Sequence, residues 1–140
     1  MSQFDRAGKI DQQKFDHDGI LVIPGFYDLS SQILPIQQQI HALIRLLADK
    51  HGVVGERKDF APETFDFEFQ ALIRHNRKLG STIYDAVKQI PEFVTVVACP
   101  KHVALFKHLR PGSMPAVAAG GYGLRIDNPG EERFRAPWHQ

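Results

Sequence analysis

The chain has 140 residues, enough for one domain with a sizeable core, and 43% hydrophobic with 24% charged residues is the balance of a globular protein. A formal net charge of +1 leaves no acidic or basic excess, which argues against nucleic acid or a membrane surface as the main partner. The lone Cys99 excludes an internal disulfide framework and a CxxC zinc ribbon and fits a reducing compartment. MSQFDRAGKIDQQ at the N-terminus has no apolar run of the signal-peptide kind, and no stretch approaches the roughly 18 apolar residues of a membrane span. On these grounds a soluble, cytoplasmic protein is expected.

In chain order, DQQKFDHDG (11–19) predicts a short helix closed by Gly19, and the apolar run ILVI (20–23), stopped by Pro24-Gly25, predicts a buried strand. Ile33, Ile36, Ile40, Leu43, Ile44 and Leu47 recur at helical spacing behind a Ser30 or Ser31 cap, with Lys50-His51-Gly52 as a cationic last turn and stop. Residues 52–64 read as loop. A second helix is expected over roughly 66–79, broken by Gly80-Ser81, and a third over STIYDAVKQI (81–90). Pro91 and Pro100 head two short helical candidates. After Arg110-Pro111-Gly112 the texture changes, and PAVAA and GYGLRID, glycine-flanked and period-two, predict strands. The expected organisation is one α+β domain, helical over 1–110 with a sheet beginning over 115–140.

Candidate chemistry is sparse. His41, His51 and His75 lack a second ligand at metal spacing, and His102 and His108 are too far apart to share one helical face. Asp16-His17-Asp18-Gly19 lacks the later ligands of a calcium loop, and Gly120-Gly121-Tyr122-Gly123 lacks the Lys-Ser/Thr of a phosphate loop. The basic run RHNRK reads as a solvated helix face, Cys99 as a buried thiol, and Glu131-Glu132 as exposed turn residues. In GYGLRID, alternation places Gly123, Arg125 and Asp127 on one face and Tyr122, Leu124 and Ile126 on the other. An arginine inside such a segment either pairs with Asp127 or meets an anion. Phe134 to Gln140 then reads as a second extended segment carrying His139.

FDHDGILVIPGF (15–26) resembles the opening signature of the phytanoyl-CoA dioxygenase family. GYGLRIDNPG (121–130), followed by Pro137-Trp138-His139-Gln140, resembles the segment that carries that family's first iron ligand. The resemblance spans the whole chain, as the N-terminal half of the family's usual length. It implies a non-haem iron(II)/2-oxoglutarate-dependent dioxygenase that uses molecular oxygen to hydroxylate a small organic substrate. The implied fold is α+β, a helix-rich N-terminal portion flanking the first strands of a double-stranded β-helix, or jelly roll. By the same resemblance His139 is the metal ligand, Arg125 and Asp127 lie at the 2-oxoglutarate pocket, Trp138 packs and Gln140 is the spacer of a His-x-Asp motif. On a strand, residues i and i+2 point to one side, which is why His-x-Asp converges on one Fe(II). The motif's aspartate, the distal histidine and the arginine after it are not among these residues, so no complete catalytic set is expected and the 140 residues alone are expected to be inactive. Two rival readings are a non-catalytic remnant that binds a protein partner through an open sheet edge, and a small helical binding domain unrelated to oxygenases.

Overall fold

The computed structural model describes residues 10–117 and 121–126. Six α-helices follow in order: α1 (Gln12–Asp18), α2 (Leu34–Lys50), α3 (Phe69–His75), α4 (Arg77–Val87), α5 (Pro91–Val97) and α6 (Pro100–Leu109), with a π-helical turn, Leu29–Ile33, leading into α2.

The long α2 forms for the reason its sequence predicts. Ile36, Ile40, Ile44 and Leu47 lie on one stripe and are buried, with Leu43 packed beside them. Leu72 of α3, Leu79, Ile83 and Val87 of α4, and Val96 of α5 close over that stripe. Pro35 is tolerated because it falls in the first turn, and His51 takes the C-cap, where Gly52 turns the chain with a φ of 64°.

The cap of the α2 region is not a serine. Asp28 accepts hydrogen bonds from the Ser31 main-chain N–H at 2.7 Å and from the Ser30 and Ser31 hydroxyls at 2.7 and 2.8 Å. The Ser30 hydroxyl, then the Ser31 amide and hydroxyl, hold the Asp28 carboxyl down at about 2, against an ordinary 3.8. A carboxyl more acidic in the folded than in the unfolded chain stabilises the fold above the unfolded value. That contribution is lost as pH falls through the folded value. Acid titration of stability is therefore expected to show a loss between about pH 4 and pH 2 that Asp28→Ala removes, read as the difference between the two unfolding curves.

The helical stretch expected over 66–79 is divided elsewhere than at Gly80-Ser81. The chain breaks at Asn76, whose side chain caps α4 by accepting from the Lys78 amide at 3.1 Å, and Gly80 lies inside α4. Glycine stands there because a Cβ would come 3.0 Å from Ile73 Cγ2, where α3 and α4 approach closely. Ile73 is buried and β-branched, so it cannot turn aside. Gly80→Ala is expected to destabilise by about 1 kcal/mol despite alanine's better helix propensity, and Gly80→Val by more, in chemical denaturation.

The expected sheet is absent from the described residues. Among the described residues there is no strand, so the α+β jelly-roll reading is overturned in favour of an all-helical arrangement. ILVI has the composition of a strand but no neighbouring strand to pair with, and a lone strand has nowhere to place its main-chain hydrogen bonds. It runs instead as a strap beside α6. Asp16 and Phe15, before it, meet Arg110 at the C-terminal end of that helix; Phe26 and Tyr27, after it, meet His102 near the N-terminal end. Leu21 and Ile23 are half-buried, whereas Ile20 and Val22 are 69% and 79% exposed. Residues 115–117 and 121–126 likewise form no ladder. Yet the period-two expectation holds there: Tyr122, Leu124 and Ile126 are half-buried, and Gly121, Gly123 and Arg125 are exposed. Leu124 and Ile126 pack on the helical core, and Tyr122 meets Phe93 of α5.

Candidate functional site

Of the residues expected at an iron and 2-oxoglutarate site, Arg125 is described, and its alternation puts it on the exposed side of the 121–126 segment. Asp127, Trp138, His139 and Gln140 lie outside the described residues, as do Glu131 and Glu132. Among the described residues no three His, Cys, Asp or Glu side chains come together to hold a metal ion. The described part of the chain thus does not by itself fit an iron centre.

The histidines it does describe have local partners. His41 Nδ1 lies 3.1 Å from the Phe65 carbonyl and its ring meets Phe60 edge-on. His17 Nδ1 bonds Asp18 at 2.6 Å. His51 caps α2, and His75 and His108 are exposed in the last turns of α3 and α6. The RHNRK run spans the α3–α4 junction and is exposed throughout.

Two side-chain clusters escape a reading based on motifs. The first joins the loop after the strap to α6. Tyr27 Oη is 2.7 Å from His102 Nε2, and His102 Nδ1 is 3.1 Å from the Val97 carbonyl. A carbonyl only accepts, so Nδ1 carries a proton and donates to it. In the neutral ring Nε2 then accepts from the Tyr27 hydroxyl. Phe26 stacks on the same ring at 5.5 Å, and Lys101 Nζ donates to the Phe26 carbonyl at 2.9 Å. Burial, with the Cys99 thiol nearby, pushes the Tyr27 hydroxyl up, which keeps it protonated as a donor. The cluster positions the strap; no group in it is poised as a nucleophile.

The second cluster locks the loop 52–68 onto α2. Glu68 is the one buried charged side chain among the described residues. Its Oε1 accepts from Arg45 Nη2 at 2.6 Å and Nε at 3.2 Å, and its Oε2 from Arg57 Nη1 at 2.9 Å. Arg57 continues to Asp49 at 2.8 Å, and Arg45 also donates to the Lys58 carbonyl. The Glu68 bond raises the Arg45 pKa above its ordinary value, so this cation never titrates in the physiological range. The sequence carried a faint signal of this lock in FDFEF (65–69), where the Glu68 carboxylate lies within a run whose Phe65 and Phe69 pack inward.

Beside the lock opens a cavity of about 470 Å³, between the loop at Val54–Glu56 and the face of the turn and helix that carries Asp66, Phe67, Gln70, Ala71 and Arg74. It was not legible in the sequence, because its two walls come from segments with no shared motif.

Compared with protein-family models, with curated proteins and with solved structures, the chain matches none. Among the described residues no helix is long and apolar enough to cross a membrane.

Proposed function

We propose that this chain is the N-terminal, helical portion of a non-haem iron(II)/2-oxoglutarate-dependent dioxygenase that hydroxylates a small organic substrate, and that these 140 residues have no turnover alone. The reading rests on the paired motifs FDHDGILVIPGF and GYGLRIDNPG with PWHQ, and not on a jelly roll. The single structural observation in its favour is the alternation at 121–126. Tyr122, Leu124 and Ile126 turn toward the helical core while Arg125 stays on the accessible side, where a cation could meet a carboxylate of the co-substrate. In this reading His139 supplies one iron ligand and Asp127 lies beside Arg125.

Its test has two parts. The open reading frame is expected to carry an aspartate codon directly after Gln140 and, further on, a histidine and an arginine; any other residue directly after Gln140 overturns the motif. Purified chain supplied with Fe(II), 2-oxoglutarate and oxygen is expected to release no succinate in an NMR assay, and succinate release would overturn the claim of inactivity.

A second reading is favoured by a different observation. Ile20, Leu21 and Val22 make no main-chain hydrogen bonds among the described residues, and two of the three side chains are exposed. An apolar, β-branched segment with free donors and acceptors is the kind that accepts an added strand, so the alternative is a non-catalytic domain that binds a protein partner there.

A further inference from the structure

We infer that the cavity beside the Glu68 lock binds a small zwitterion, a molecule of about free amino-acid size with an ammonium and a carboxylate group. Gln70, Ala71 and Arg74 of α3 form one wall, together with Asp66 and Phe67 from the turn that precedes the helix. The opposite wall is the loop at Val54–Glu56, held close enough that a Cβ on Gly55 would meet Ala71 Cβ at 3.6 Å.

The charges in this cavity are not equivalent. Glu68 is neutralised, since both its oxygens are taken by Arg45 and Arg57, so it fixes the wall and offers no charge to a ligand. Glu56 leans on Lys58, at 3.9 Å. Asp66 and Arg74 differ: neither side chain forms a hydrogen bond or ion pair among the described residues, and Asp66 is half-buried. Both line the same cavity, Asp66 from the turn that precedes α3 and Arg74 from the last turn of that helix. A carboxylate and a guanidinium that line one cavity without pairing with each other suit a ligand carrying the two opposite charges. Between them Val54, Phe67 and Ala71 supply apolar surface for a side chain. The volume is in the range of small-molecule sites. The ammonium would be received by Asp66 and the carboxylate by Arg74, whose fork suits it.

The proposal is tested by two-dimensional NMR titration of the full chain with L-phenylalanine, phenethylamine and 3-phenylpropanoate. These share a ring and differ in which charges they carry. Saturable shifts confined to residues 54–56 and 66–74 are expected with L-phenylalanine, at an affinity at least about tenfold above either singly charged probe, the loss expected for one missing charge-assisted contact. Asp66→Asn and Arg74→Gln should each remove that advantage while leaving the unfolding midpoint in place, because neither group contributes to the Glu68 lock. Absence of saturable shifts, equal affinity for the three probes, or undiminished selectivity in both variants would overturn it.

Discussion

Ile40→Ala is expected to lower the stability of the chain by about 3–4 kcal/mol, a large share of what a domain of this size has. Ile40 has no exposed surface and sits mid-way along α2, where the stripe of that helix meets α3 and α4. Removing its outer carbons takes away the transfer energy of the buried groups. It also leaves a void between rigid helices that cannot close over it. Urea denaturation should show a lower midpoint with an unchanged slope. Leu46→Ala is the matched control. Leu46 is on the same helix but 62% exposed, and its replacement should shift stability by no more than about 0.5 kcal/mol. Equal losses at the two positions would mean that the described core is not where the helices are held.

The second large effect is expected at Glu68. Its carboxylate is buried, with a side chain only 7% exposed, and it accepts from two arginines on separate segments. Glu68→Ala removes the one group that, among the described residues, ties Arg45 of α2 to Arg57 of the following loop. Breaking a buried ion pair commonly costs about 3–5 kcal/mol, mostly because a charge is stranded without a partner. Here the stranded cations remain about one third exposed and regain water, so a loss of about 2–3 kcal/mol is expected, below that range. Glu68→Gln should lose less, because its amide oxygen still accepts from one arginine. Hydrogen exchange should separate this variant from Ile40→Ala. Amides of the loop around Val53 and Phe69 should lose protection first in Glu68→Ala, whereas α2 and α4 should open together in Ile40→Ala.

How much of this was legible beforehand follows from the range of each interaction. α1 was announced by DQQKFDHDG with its closing Gly19, which turns the chain with a φ of 69°, and the structure adds Asp11 as the N-cap, accepting from the Lys14 amide at 2.9 Å. α5 and α6 were announced by Pro91 and Pro100, which start them at their first residues. These are local signals, satisfied within one turn of chain. The α3–α4 boundary was misplaced at Gly80-Ser81 because glycine has two uses. It can end a helix, or it can let two helices approach, and only the position of Ile73 says which applies. The serine cap before α2 was misassigned for a related reason. Asp28 reaches the Ser31 amide first, and the serine hydroxyls become donors to it.

The candidate site divides the same way. That 121–126 has two faces was readable from alternation, but which of them turns inward was decided by the packing of Leu124 and Ile126 on the helical core. The pairing of Tyr27 with His102, 75 residues away, and of Glu68 with Arg45 and Arg57, was not readable, since no spacing encodes a contact between distant segments.

By itself, then, the sequence determined where α1, α5 and α6 begin, which stripe of α2 is apolar, and which side chains of the last described segment share a face. All of these follow from the periodicity of a single element and from the chemistry of its ends. Only the tertiary structure decided that ILVI and GYGLRI do not pair as strands. A strand exists through hydrogen bonds to a neighbour, and β-branched residues without that neighbour are only a preference. It alone also decided that a glycine is a packing contact, and that a glutamate between phenylalanines is the hub of a buried charge lock.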